Sequence, residues 1–104
     1  MRRGTTPTML FSIPGHNLSG ADIVLSILQG KLYNKTNDDM TVTATDAGTL
    51  LAVRFTQEET LAFRPGEATV QVNWLRPDGA RMATEDAKIQ ITRNLLERVM
   101  HYGE

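Results

Sequence analysis

Ala68-Thr69-Val70-Gln71-Val72-Asn73-Trp74 is the stretch that decides how the chain folds. Apolar residues hold every second position, and threonine, glutamine and asparagine stand between them. In an extended chain that spacing sorts side chains onto a dry face and a wet one, whereas a helix demands a period near 3.6. Trp74 is in phase with Ala68, Val70 and Val72, so its ring belongs to the dry face. Pro77-Asp78-Gly79 then turns the chain, proline presetting φ and glycine accepting the left-handed position.

The same period of two recurs on both sides. Met9, Phe11 and Ile13 alternate with Thr8, Leu10 and Ser12, and Pro14-Gly15-His16-Asn17 breaks that strand. Residues 22–29 form a nearly continuous apolar run, which predicts a central strand covered on both faces. Gly30 marks a turn, and Lys31-Leu32-Tyr33-Asn34-Lys35 reads as the returning hairpin arm. After the polar turn Thr36-Asn37-Asp38-Asp39, Met40, Val42 and Ala44 alternate with threonines. Asp46-Ala47-Gly48 turns again into Leu51, Val53 and Phe55. Ala87, Ile89 and Ile91 alternate in the last strand. About seven short strands at this spacing predict an all-β, immunoglobulin-like antiparallel β-sandwich, one domain over residues 1–104.

Two segments depart from the period. Thr56-Gln57-Glu58-Glu59 has the T-x-x-E spacing of a capping box, which predicts one short helical turn near 56–63, with Leu61 and Phe63 pinning it to the sandwich. At the other end Leu95, Leu96, Val99 and Met100 sit at helical spacing, but so few residues remain that a helix would be marginal unless docked. Residues 95–104 therefore read as a short helical or extended tail. Residues 1–6 read as a flexible start.

Composition narrows the function. Eleven basic residues against twelve acidic ones leave a net charge of −1, which offers no basic face for nucleic acid or an anionic membrane. With no cysteine there is no disulfide, no thiolate nucleophile and no cysteine-bound zinc. Met1-Arg2-Arg3 is followed by a polar stretch instead of a signal-peptide core, and the apolar window 23–28 is too short to cross a bilayer. Production in the cytoplasm is expected.

The candidate constellations are thin. Glu58 and Glu59 are adjacent and point apart, so capping suits them better than paired acid–base chemistry. Asn37, Asp38, Asp39 and Asp46 lack the spacing of a calcium loop, and His16 and His101 stand far apart with no metal-ligand context. No nucleophile elbow or phosphate-cradling glycine loop is present. Neither an enzyme nor a cofactor is expected. Trp74, Tyr33 and Tyr102 are the candidates for a sugar-binding platform, the alternative functional reading. The apolar residues Leu95, Leu96, Val99 and Met100, with Tyr102, are the candidates for protein interaction, because the cluster is too apolar for a free tail.

Several stretches also resemble a known group. Arg3-Gly4-Thr5-Thr6-Pro7-Thr8, Leu18-Ser19-Gly20-Ala21-Asp22 and, most specifically, residues 55–66 (Phe55-Thr56-Gln57-Glu58-Glu59-Thr60-Leu61-Ala62-Phe63-Arg64-Pro65-Gly66) look like small bacteriophage and prophage structural proteins of gut Firmicutes. Val70-Gln71-Val72, Asp78-Gly79 and residues 89–96 continue the likeness, which covers about residues 3–96. More distantly the pattern is similar to the amino-terminal β-sandwich of phage baseplate upper proteins, which continue into long carboxy-terminal regions where this chain stops at Glu104. The resemblance implies a virion structural or assembly role at a tail, baseplate or head-associated position. It also implies other virion proteins as partners, homo-oligomerisation, and no catalysis or cofactor. Subunits are expected to meet through a sheet edge or through residues 95–102.

Overall fold

The computed structural model describes residues 1–103. Eight strands run in the order β1 (Thr8–Pro14), β2 (Asp22–Gln29), β3 (Lys31–Thr36), β4 (Met40–Thr45), β5 (Gly48–Arg54), β6 (Gly66–Leu75), β7 (Arg81–Ala83) and β8 (Ala87–Ile91). A three-residue 3-10 turn, Asn37–Asp39, precedes β4, and one six-residue helical turn, α1 (Gln57–Ala62), joins β5 to β6. The strands form two antiparallel sheets. One has the order β1-β5-β4, and in the other β3-β2-β6 continues into β7 and β8, which share the far edge of β6.

This is the all-β sandwich expected from the alternation. Its pairings are those of the immunoglobulin B-E-D and C′-C-F-G sheets, with β1, β5 and β4 in the first and β3, β2, β6 and β7/β8 in the second. The count of eight against about seven has a local cause. Thr84 separates β7 from β8 yet keeps contact with β6: its N–H donates to the Val72 carbonyl at 2.9 Å, and its hydroxyl accepts from the Val72 N–H at 3.0 Å. A side-chain oxygen replaces a backbone carbonyl there, so the two short strands act as one interrupted strand.

The core lies between the inner faces. Ala68, Val70, Val72 and Trp74 of β6 and Ile23, Leu25 and Ile27 of β2 pack towards Ile13, Met40, Leu51 and Val53 of the opposite sheet. Trp74 is 3% exposed. One expectation fails here. Strand β2 is covered on one face only, its outer residues Val24 and Ser26 being half-buried and Leu28 exposed. A continuous apolar run does not by itself distinguish two covered faces from one, because the outer face of this sheet has no layer above it.

Glycine is required at position 48. Its φ is 149°, and a Cβ there would stand 2.2 Å from the Ile13 carbonyl oxygen and 2.8 Å from the Pro14 Cα. The approach is this close because Gly48 pairs with Pro14 at the end of the β1–β5 ladder.

Candidate functional site

The end of the sandwich that carries α1 also gathers both terminal segments. Thr56 caps α1 as its spacing predicts: the hydroxyl accepts from the Glu59 N–H at 3.2 Å, and a Glu59 carboxylate oxygen accepts from the Thr56 N–H at 2.8 Å. The same carboxylate pairs with the ammonium of Lys35. Lys35 lies on the inward parity of edge strand β3, its side chain only 7% exposed and its Nζ 4.8 Å from the centre of the Phe55 ring. Glu58 is exposed, so the two adjacent glutamates face different surroundings. Burial pushes the Glu59 carboxyl up, but hydrogen bonds from Lys35 and from the Thr56 N–H, with the Lys35 charge, outweigh it and hold the carboxyl below its ordinary value.

Thr60, fully buried on α1, donates its hydroxyl to the Thr5 carbonyl at 2.8 Å, and the Arg3 guanidinium donates to the Leu61 carbonyl at 2.8 Å. Residues 1–3 continue along the end of β8. The Arg3 N–H donates to the Thr92 carbonyl, the Thr92 N–H to the Met1 carbonyl, and Arg2 and Thr92 form a parallel bridge. The segment expected to be a flexible start is thus placed in a hydrogen-bonded position.

The tail meets this end of the molecule through its backbone. Gln57 on α1 clasps Met100: its side-chain amide donates to the Met100 carbonyl at 3.0 Å and accepts from the Met100 N–H at 2.7 Å, as a neighbouring strand would. Asn94 donates to the Arg3 carbonyl at 3.0 Å, and Glu97 pairs with Arg3. The tail is neither a helix nor a strand in residues 95–103: it runs irregularly, with bends at Leu95 and Arg98 and a turn at Tyr102–Gly103. Its anchors are the Asn94 and Glu97 side chains and the Met100 backbone, and its apolar side chains are left largely uncovered. Leu95 is 102% and Tyr102 110% exposed; Leu96 and Met100 are exposed, and Val99 is half-buried. The five interaction candidates therefore lie on one anchored strap, four of them in solvent.

Sheet edges differ in their protection. An inward-pointing charge such as Lys35 on β3 discourages a foreign strand from pairing there. Strand β4, by contrast, holds no charged residue and no proline along Met40–Thr45. The remaining sequence candidates do not converge. Asn37 turns its amide to the backbone of residues 21 and 23, and Asp39 accepts from the Thr36 N–H. Asp46 lies at the far end of β4, about 20 Å away at the rise of a strand. Among the described residues no group of three or more His, Asp or Glu is placed to hold a metal ion. Trp74 is in the core, Tyr33 packs against Phe63 with ring centres 4.6 Å apart, and Tyr102 stands alone on the tail.

Gln57, Arg3, Asn94 and Lys35 escaped sequence reasoning. Only Lys35 left a signal, the parity it shares with Tyr33 in a strand paired to β2. No family model matches the chain, and no curated protein or solved structure matches it.

Proposed function

We propose that the protein is a non-enzymatic structural or assembly component of a bacteriophage or prophage virion, acting through protein–protein contacts and associating with copies of itself. The observation that carries the contact-based reading is the tail: Gln57 holds the Met100 backbone, the Asn94 side chain bonds the Arg3 carbonyl and Glu97 pairs with Arg3, while Leu95, Leu96, Met100 and Tyr102 are exposed. Apolar side chains held out from a fixed backbone lose little conformational freedom when a partner covers them, which favours association. The virion setting rests on the resemblance of residues 3–96 to phage structural proteins. The contact-based reading does not depend on it.

Light scattering coupled to size-exclusion chromatography tests the role of the strap. The comparison is between the full chain and a variant carrying Leu95→Ser, Leu96→Ser, Met100→Ser and Tyr102→Ser. None of these side chains belongs to the buried core, so the variant should keep a thermal midpoint close to wild type. The wild-type chain is expected to run above monomer mass and the variant at monomer mass. Equal masses for the two proteins would overturn this role for the tail. Tail, baseplate or portal genes beside the coding gene would support the virion setting, and a neighbourhood without them would count against it.

A further inference from the structure

At the end of the sandwich opposite α1, a cleft of about 410 Å³ opens between the loop after β1 and the turn after β6. We propose that it binds a carboxylate-bearing sugar, a site separate from the tail and independent of the virion reading.

Both walls are fixed before any ligand arrives. In the first loop the Gly15 N–H donates to the Ala47 carbonyl at 2.8 Å. The buried hydroxyl of Thr49 donates to the His16 carbonyl at 2.7 Å and accepts from the Leu18 N–H at 3.0 Å, and Leu18 is itself sunk in the core. Asn17 accepts from the Ser19 N–H through its side-chain oxygen at 2.9 Å. In the second wall the Arg76 N–H donates to the Ala80 carbonyl and the Gly79 N–H to the Arg76 carbonyl, at 2.8 and 2.9 Å. Preorganised walls of this kind lower the entropy cost of binding.

The groups left over are what a ligand would meet. The Asn17 amide N–H₂ and the Ser19 hydroxyl have no partner among the described residues, and both residues line the cleft. The Arg76 guanidinium is engaged only by Asp78, at 3.2 Å and with both side chains more than half exposed, a pairing that water largely screens. No aspartate or glutamate lines the cleft. The other lining is apolar or aromatic: the His16 ring lies 5.2 Å from the Trp74 ring, with Pro77 and Met82 beside them.

Those features select a ligand class. An acceptor-rich anion satisfies Arg76, and hydroxyl groups satisfy Asn17 and Ser19. A ring with an apolar C–H face covers His16, Pro77 and Met82. An aromatic carboxylate would match the wall and the charge but gain no hydrogen bond from Asn17 and Ser19, which are exposed and would stay with water. A neutral sugar would leave Arg76 with only its screened contact to Asp78 and add no charge-assisted hydrogen bond. A sugar ring bearing a carboxylate meets all three demands.

Trp74 is the protein's single tryptophan and touches the cleft, so its fluorescence reports occupancy directly. The full chain is titrated with methyl glucuronide, methyl glucoside and benzoate. Backbone amide shifts of Ser19 and Arg76 are followed by NMR in the same titrations, so that a silent fluorescence signal is not decisive alone. Saturable binding of methyl glucuronide is expected, with methyl glucoside and benzoate each at least about tenfold weaker, the worth of one charge-assisted hydrogen bond. Arg76→Ala, a change at an exposed position, should weaken methyl glucuronide by about tenfold or more at an unchanged thermal midpoint, and Ser19→Ala by a few-fold. The proposal is overturned if neither probe responds saturably to methyl glucuronide, if either comparison ligand binds as tightly, or if Arg76→Ala binds like wild type.

Discussion

Replacing Lys35 and replacing Glu59 should have opposite consequences, although the two side chains form one ion pair. Removing one member of a buried pair costs about 3–5 kcal/mol when the survivor stays buried without a counter-charge. The survivor differs between the two variants. Glu59→Gln strands the Lys35 ammonium, whose side chain is 7% exposed, against Phe55 and the core. Glutamine still offers an oxygen to the Thr56 N–H, so the cap persists and the charge effect is isolated. Glu59 is 38% exposed, so water screens part of the attraction, and the expected loss is about 2 kcal/mol. Lys35→Met leaves the carboxylate instead, and that group reaches solvent. A methionine in the space beside Ile27, Phe55 and Phe63 removes a desolvated charge, so the stability should stay within about 1 kcal/mol of wild type or rise. Against a total of about 5–15 kcal/mol, these are measurable differences. In urea, with a slope near 1–3 kcal/mol per M, the glutamine variant should lose roughly 1 M from its midpoint and the methionine variant little or nothing. Lys35→Met should also increase self-association, because it takes the inward charge off the edge strand β3. A methionine variant less stable than the glutamine variant would refute the reasoning, showing that the ammonium's attraction to Glu59 and Phe55 exceeds its desolvation cost.

Three further outcomes follow from the geometry. The Glu59 carboxyl is held below its ordinary value of 4.5 in the folded chain, so its contribution is complete above that pH and declines as pH falls through the folded-state value. Urea midpoints of wild type and Glu59→Gln should accordingly differ at pH 7 and draw together as pH falls through the folded-state value, and a constant gap would contradict this. Gly48→Ala should cost about 3 kcal/mol, or roughly 10–20 °C in thermal midpoint, because the new methyl meets the backbone of Ile13 and Pro14; a midpoint within a few degrees of wild type would show that the β1–β5 ladder yields there. Emission from Trp74 should be blue-shifted and resistant to acrylamide, whereas a red-shifted, readily quenched band would place the ring in water.

The strands were legible because a sheet with one dry face writes its period directly into the sequence. Residues 68–74 locate β6 to within a few residues, and T-x-x-E locates the capping box at Thr56 because its partners are three residues apart. What could not be read depends on contacts across long stretches of chain. Leu95, Leu96, Val99 and Met100 have helical spacing, yet Gln57, 43 residues away, takes the Met100 backbone hydrogen bonds, and no helix forms there. The interruption between β7 and β8 depends on the hydroxyl of Thr84 meeting Val72, and nothing in residues 81–91 alone announces it. The apolar run in β2 overstated its burial, since the outer layer it implied is absent. The cleft joins residues 15–21 to residues 74–82, a neighbourhood that only the pairing of β2 with β6 creates.

The interaction surface rests on a tail whose Met100 backbone is held by Gln57 and whose side chains Leu95, Leu96, Met100 and Tyr102 are exposed. Residue-resolved amide hydrogen exchange on the full chain measures that directly, with Gln57→Ala as the comparison. The Met100 amide is predicted to exchange far more slowly than an unstructured amide and to lose its protection in Gln57→Ala, while Val72 keeps its protection in both. Exchange of Met100 at the unstructured rate in the wild-type chain would contradict the account, because Leu95, Leu96 and Tyr102 would then ride on a loose end and not on a fixed strap.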